Sequence, residues 1–325
     1  MECDALGLTD GRKGGKERRP PMSHRKSGNA AGGVRPLPAP PKGFDPRKAS
    51  ARELRRYGLP QRPDPKTHPQ LAARWDEIFS RKITHITPTF RPLEELIPGV
   101  KPRGRPRRDF VTVTNATWSG AVVHATGSQT FTWVLGQWNV PDVAPAPGGG
   151  SQYTFAFIGI DGNSDVTQIG TIQSVSKASN GSLSKSCYAV YEWFPNSWSA
   201  ITNFPVSFGD TMLGLICLDS PTEAFFSLLN LTGGVHAGFV FDAPSGTASL
   251  ENQAEWILER PEVGGVNPPM PNFGEIYFDS AMGGHGLDFV ANGGTDTAIN
   301  MVVNGATVAT TTVETPTLIK IAYTG

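Results

Sequence analysis

Two acids in one short apolar run are the clearest candidates for chemistry in this chain. In the run Glu255-Trp256-Ile257-Leu258-Glu259, an extended backbone puts Glu255, Ile257 and Glu259 on one face and Trp256 and Leu258 on the other. Carboxylates on a half-shielded sheet face cost stability unless they are hydrogen-bonded, and positioned carboxylates are working groups of general acid–base catalysis. A solvated outer face accounts for the same spacing. Glu192, in the run YEWFP, repeats the pattern and shares its face with Tyr188, Val190 and Phe194. Gln168 stands at the edge of the run TQIGT beside Gly170; an isolated glutamine is ordinarily a surface residue.

Other chemistries lack their signatures. The chain has no G-x-S-x-G elbow, no H-E-x-x-H pair and no phosphate-binding loop. Its six histidines, His24, His68, His85, His124, His236 and His285, are scattered, which argues against a histidine triad or a zinc site; no cofactor and no metal are expected. Asp161, Asn163 and Asp165 imitate the opening of a calcium loop. Val166 stands where that loop needs Gly and Ile172 where it needs Glu, so the segment reads as a polar turn. Cys3, Cys187 and Cys217 form neither a metal spacing nor an even framework, and no disulfide is expected to hold the fold.

The elements that must position these groups fall into two contrasting stretches. Residues 1–110 carry 25 of the 29 Lys+Arg and 12 of the 29 Asp+Glu, leaving 4 and 17 for residues 111–325. The first stretch also holds 16 of the 28 prolines, many in runs that favour extended, non-core backbone. It reads as a basic, partly disordered leader and a candidate pro-segment, followed by one acidic domain over 111–325. Two leader helices are expected. Ser50 with Glu53 makes a capping box ended by Gly58, and Thr67 with Gln70, with Pro69 early in the helix, opens a second through about Ser80. A Pro-rich tether at 98–107 follows. The leader's charge comes without aromatic interleaving, so no nucleic-acid partner is expected, and no apolar run approaches the roughly 18 residues of a membrane helix. A monomer without a membrane partner is expected. The first 40 residues contain no apolar signal core, so nothing there supports export.

From about Val111 onward the texture is short β-branched and aromatic runs separated by Gly, Asn, Asp, Ser and Pro. Strands are expected near 129–138, 153–160, 188–194, 211–218, 238–241, 254–258, 275–278, 298–303 and 317–323. No helical stripe interrupts them. An all-β domain of this length points to two packed antiparallel sheets.

Six segments then carry a resemblance: ATWSGAVV at 116–123, WNVPDV at 138–143, FIGIDG at 157–162, TQIGT at 167–171, VYEWFP at 190–195 and NQAEWILE at 252–259. In this order they resemble the glutamic peptidases of family G1, the eqolisin type. The resemblance implies a concanavalin A-like sandwich with its site on the concave face. It also implies an acid-active, metal-independent endopeptidase acting on protein or peptide substrates. It pairs Gln168 with the last Glu of the A-E-x-I-x-E strand, Glu259. In such a dyad the carboxylate activates water and the amide, which does not titrate, donates to the oxyanion. Asp161, Glu192 and Trp118 are implied as supporting or substrate-contacting groups. Phe157, Tyr188 and Val190 depart from the family pattern and bear on subsite preference. The family's secreted members point to export, against the absent signal core. Two other readings remain: a carbohydrate-binding module presenting Trp118, Trp193 and Trp198, and a glycosidase pairing Glu192 with Glu259, which requires the two within about 5–10 Å.

Overall fold

Strand-forming runs dominate residues 111–325 because alternating side chains can bury one face of a pleated strand in a core and leave the other for a site or a second packing layer. The structure, a computed structural model, describes residues 33–94, 96–97, 111–126, 128, 130–147, 149–162, 165–285, 288–290 and 295–325. Residues 1–32 of the leader, on which the expectation of partial disorder bears, and the tether expected at 98–107 lie outside these residues. In chain order the leader forms β1 (Val34–Pro36), α1 (Ala51–Arg56), α2 (Pro69–Ser80), β2 (Thr84–Ile86), β3 (Phe90–Pro92) and β4 (Leu96–Ile97). The domain continues with β5 (Val111–Asn115), β6 (Trp118–His124), β7 (Trp133–Asn139), β8 (Ser151–Ile160), β9 (Thr167–Lys177), β10 (Leu183–Trp193), β11 (Ser199–Ile201), β12 (Thr211–Ser220), β13 (Glu223–Asn230) and β14 (Val235–Asp242). It ends with β15 (Gln253–Glu259), β16 (Glu262–Val263), β17 (Glu275–His285), β18 (Asp288–Val290), β19 (Thr295–Val303), β20 (Ala306–Thr315) and β21 (Leu318–Tyr323).

Pairing resolves these strands into two layers. One runs β5-β19-β6-β15-β8-β9-β10-β11-β3. The other runs β21-β17-β7-β12-β13-β14. At one edge β20 joins the layers by pairing with both β19 and β21. At the opposite edge the leader spans them, since β1 and β2 both pair with β14 and β3 pairs with β11. This is a mainly antiparallel β-sandwich, as the composition pattern led us to expect, with parallel pairs at β5–β19 and β2–β14.

The alternation seen in sequence sorts directly into faces. Ala156, Ile158, Ile160, Trp256 and Leu258 point between the layers into the main core with Trp138, Ile216 and Phe226. Phe155, Phe157 and Ile257 point out of the first layer into a separate apolar cluster. Trp256 Nε1 donates to the Leu135 carbonyl at 2.8 Å and Trp138 Nε1 to Thr171 Oγ1 at 3.0 Å, stitching one layer to the other. Gly136 makes room for this contact: a Cβ there would lie 2.7 Å from Ile158 and 2.8 Å from the Trp256 ring.

The leader helices pack on the outer face of the second layer. Leu54, Leu59, Trp75, Ile78 and Phe79 join Leu135, Leu213, Leu215, Phe225 and Leu229 in one buried cluster, and Trp75 Nε1 donates to the Pro60 carbonyl at 3.0 Å. Apolar burial therefore dominates the attachment, with Arg35 on Glu223 and Asp242 adding exposed ion pairs. The Ser50–Glu53 capping box is present. The cap of α2 differs from expectation: His68 occupies the N-cap and its side chain does not cap the helix, while the Thr67 hydroxyl donates back to the Asp64 carbonyl. Cys187 is free, whereas Cys217 is disulfide-bonded. That corrects the expectation of no disulfide, which strand-like surroundings alone had suggested.

Candidate active site

Cross-strand register decides which of the candidate residues meet. Glu255 on β15 stands opposite Gly159 on β8, Gly159 opposite Gln168 on β9, and Gln168 opposite Glu192 on β10. Two strand spacings separate the backbones of Glu255 and Gln168 by about 10 Å. Two long side chains close that gap when the residue between them has none. Gly159 is that residue: a Cβ there would lie 2.7 Å from Glu255 Oε1 and 3.1 Å from its Cγ. The Glu255 carboxylate thus lies over the Gly159 backbone, on the path to Gln168. Gln168 Nε2 donates to Glu192 Oε2, while Gln168 Oε1 accepts no hydrogen bond among the described residues. Glu255, Gln168 and Glu192 are all fully buried.

The far side of Glu255 is also held. Gln253 shares its face and donates from Nε2 to Glu255 Oε2 at 3.4 Å. Gly162 gives that amide its space, since a Cβ there would meet Gln253 Nε2. Gln253 also hydrogen-bonds His124, its register partner on β6. Burial holds the His124 imidazole below its ordinary pKa, opposed by that hydrogen bond.

Asp161 sets the start of β15. Its Oδ2 accepts from the Ser249 hydroxyl and from the backbone N–H groups of Leu250 (2.9 Å) and Glu251 (3.1 Å), and its Oδ1 from Asn252 N–H at 2.7 Å. Its own N–H donates to the Gln253 carbonyl at 2.9 Å. The turn that delivers Gln253 and Glu255 is therefore wrapped around one buried carboxylate. Burial pushes that carboxyl above the usual range, against the pull of these donors. Asp161 acts on the turn and makes no hydrogen bond to Gln168 or Glu255 among the bonds described.

Glu259 shares this face. It lies opposite Phe155 and Trp118, four residues from Glu255 along the strand, so in a flat sheet its backbone would stand about 16 Å from that of Gln168. Period-two alternation gives both acids the same face, so only register separates them. The tryptophans expected as an exposed platform are covered: Trp118, Trp193 and Trp198 are each 0% exposed. Trp118 and Trp198 pack with Phe155, Phe157 and Ile172 on the outer face, and Trp193 lies in the main core.

Leu93 of the leader enters this outer cluster, with its N–H on the Trp198 carbonyl at 2.7 Å. The chain then reaches β4, which pairs with β16 just beyond Glu259. The leader thus crosses the outer face from the β11 edge to the end of β15. Around this row, sequence reasoning had named Glu255, Gln168 and Glu192 but not Gly159, Gly162, Gln253 or His124. The glycines of FIGIDG were the available signal. Among the described residues no group of three or more His, Cys, Asp or Glu is arranged to hold a metal ion.

Comparison with known proteins agrees with the sequence motifs. Residues 116–323 match the model of the peptidase A4 family. Aspergillopepsin-2 from Aspergillus niger is 27% identical over 184 residues, covering 51% of this chain and 64% of that protein. Scytalidopepsin B from Scytalidium lignicola is 30% identical over 145 residues, covering 44% of this chain and 51% of that protein. The chain therefore spans between half and two thirds of these relatives. The solved structure of scytalido-glutamic peptidase with a transition state analog inhibitor superposes with a TM-score of 0.53 at 22% identity, over 64% of this chain and 98% of that one. That likeness establishes a shared fold.

Proposed function

Because the chain belongs to the peptidase A4 family, we propose that it is a glutamic endopeptidase in which Glu255 and Gln168 form the dyad. Glu255 as carboxylate takes a proton from a water held between it and Gln168; the resulting hydroxide attacks the peptide carbonyl, and the protonated carboxyl returns the proton to the leaving nitrogen. Gln168 has two N–H donors. Glu192 accepts one and fixes the amide plane, and the other serves the developing oxyanion. Because an amide does not titrate, this donor persists in acid, where the peptidase is expected to work.

The observation that carries this reading is the row Glu255–Gly159–Gln168–Glu192, in which the one position without a side chain lies between acid and amide. Hydrolysis of a denatured protein at pH 3 to 4, with and without a chelator, tests it. Activity that survives the chelator and falls by roughly 10²–10³-fold in Gln168→Ala supports the reading. Absence of peptide hydrolysis across the acid range, or complete loss with the chelator, refutes it.

A further inference from the structure

His85 and His236 lie 151 residues apart in sequence and meet where the leader closes the open edge of the sandwich. His85 is on β2 and His236 on β14, register partners in a parallel pair. Their Nδ1 atoms are 3.1 Å apart. His236 Nε2 is 2.8 Å from the Gly58 carbonyl and 3.1 Å from Ser227 Oγ. A carbonyl only accepts, so Nε2 of His236 carries the hydrogen, its Nδ1 is the bare acceptor, and His85 Nδ1–H is the donor. Both rings are then neutral, and the pair ties together the turn after α1, strand β2 and the domain. Fit is tight: Gly58 has φ +74°, and a Cβ there would lie 2.6 Å from Gly238 Cα.

We propose that this histidine pair is an acid-sensitive latch on the leader: neutral, it holds β2 and β3 shut across the two layers; protonated, it opens them. A proton on His236 must go to Nδ1, pointing N–H at N–H across 3.1 Å. A proton on His85 goes to Nε2, which keeps the hydrogen bond and places a charge beside the buried ring. Among the described residues no acidic group lowers the cost of either charge. Ser227 and the Gly58 carbonyl are neutral, and the cleft that His85 lines carries Asp45, Arg47, Arg81 and Lys82. Asp45 is already paired with Arg47 and Lys48, Arg81 is paired with Glu77, and the surplus is positive.

Burial accordingly lowers His85 to about 4 and His236, with His85 adding to the effect, to about 3. Both values lie below the unfolded value of about 6.5. The latch is therefore at full strength above about pH 6.5 and is lost as pH falls through the folded values. Release of either ring alone should make opening at least about 100-fold more favourable between pH 7 and pH 4, and release of both more so. The segment released continues into Leu93, which sits among Trp118, Phe155, Phe157 and Trp198 on the outer face. If that face is the substrate groove, acid uncovers it. This consequence rests on the peptidase reading, whereas the latch itself does not.

Amide hydrogen exchange of the full chain, corrected for intrinsic exchange at each pH, reads the latch without using activity. Thr84 and Leu93, whose N–H groups bond Gly234 and Trp198, should lose at least about 100-fold protection between pH 7 and pH 4. Amides of β13 should hold theirs. In the double variant His85→Gln/His236→Gln the pH response should fall below about threefold. Equal protection at both pH values in the parent, or an unchanged response in the double variant, overturns the proposal. Should the variant leave the leader open at pH 7, imidazole titration by NMR in the parent decides: both rings neutral at pH 5 supports the latch, and either titrating near 6.5 refutes it.

Discussion

Substituting Gly159 with Ala perturbs the proposed dyad without removing any reacting atom. The added methyl would sit 2.7 Å from Glu255 Oε1, 3.1 Å from Glu255 Cγ and 3.2 Å from the Thr167 carbonyl. Ordinary contacts for such atoms begin near 3.4 Å, so the carboxylate must retreat by roughly 0.7 Å while the Thr167 backbone can give little. Gly159 lies in regular strand between β15 and β9, so the backbone itself accepts alanine. Overpacking of this kind costs about 1–3 kcal/mol of stability. A displacement approaching 1 Å at a reacting group costs on the order of 10²-fold in rate. Gly159→Ala should therefore remain folded at 25 °C, melt a few degrees lower, and lose about 10²-fold in kcat/KM on a denatured protein or fluorogenic peptide in acid. Circular dichroism melting and initial rates on the same preparation measure both. A folded Gly159→Ala enzyme with near-normal kcat/KM would mean that Glu255 does not work above Gly159, and the reasoning would fail.

Other outcomes follow from the same geometry. Asp161→Asn keeps size and tolerance of the positive φ of 64° but offers one acceptor oxygen to four donors, so thermal melting should report a loss of about 2–4 kcal/mol with activity falling as the turn before Gln253 loosens. Trp75→Ala empties the centre of the leader's docking cluster and should cost about 3–5 kcal/mol, seen as earlier protease nicking of α1 and α2 at pH 7. Gln253→Leu removes the amide on Glu255 and its link to His124. It should lower kcat and flatten the acid limb of the pH–rate profile with little change in KM; an unaltered profile would show that the link is only structural.

How much of this was legible in sequence depends on the range of the interaction. Local rules succeeded. Period-two alternation put Glu255 and Glu259 on one face and Trp256 in the core, and the Ser50–Glu53 box opened α1. Continuous apolar runs such as EAFFSLLN, now β13, show no alternation because both faces are covered, one by the core and one by the leader. The three-residue leader strands are too short and proline-bounded to announce themselves. Register was the decisive missing quantity. Whether Glu255 or Glu259 meets Gln168 depends on how β15, β8 and β9 slide against one another, and no single strand encodes that. Glycines at 159 and 162, placed where side chains from a neighbouring strand must pass, were the local trace of it. The His85–His236 pair was invisible for the same reason, since its members come together only when β2 of the leader pairs with β14.

The central claim is that Glu255, and not Glu259, acts with Gln168. Conservative Glu255→Gln and Glu259→Gln variants differ from the parent by one titrating oxygen each and can be compared at equal concentration in an acid peptidase assay, with melting curves as a control for folding. The account predicts that Glu255→Gln loses essentially all turnover while staying folded, and that Glu259→Gln retains activity within about tenfold of the parent, about 1.4 kcal/mol in transition-state stabilisation. An active Glu255→Gln, or a folded and inactive Glu259→Gln beside it, would contradict it.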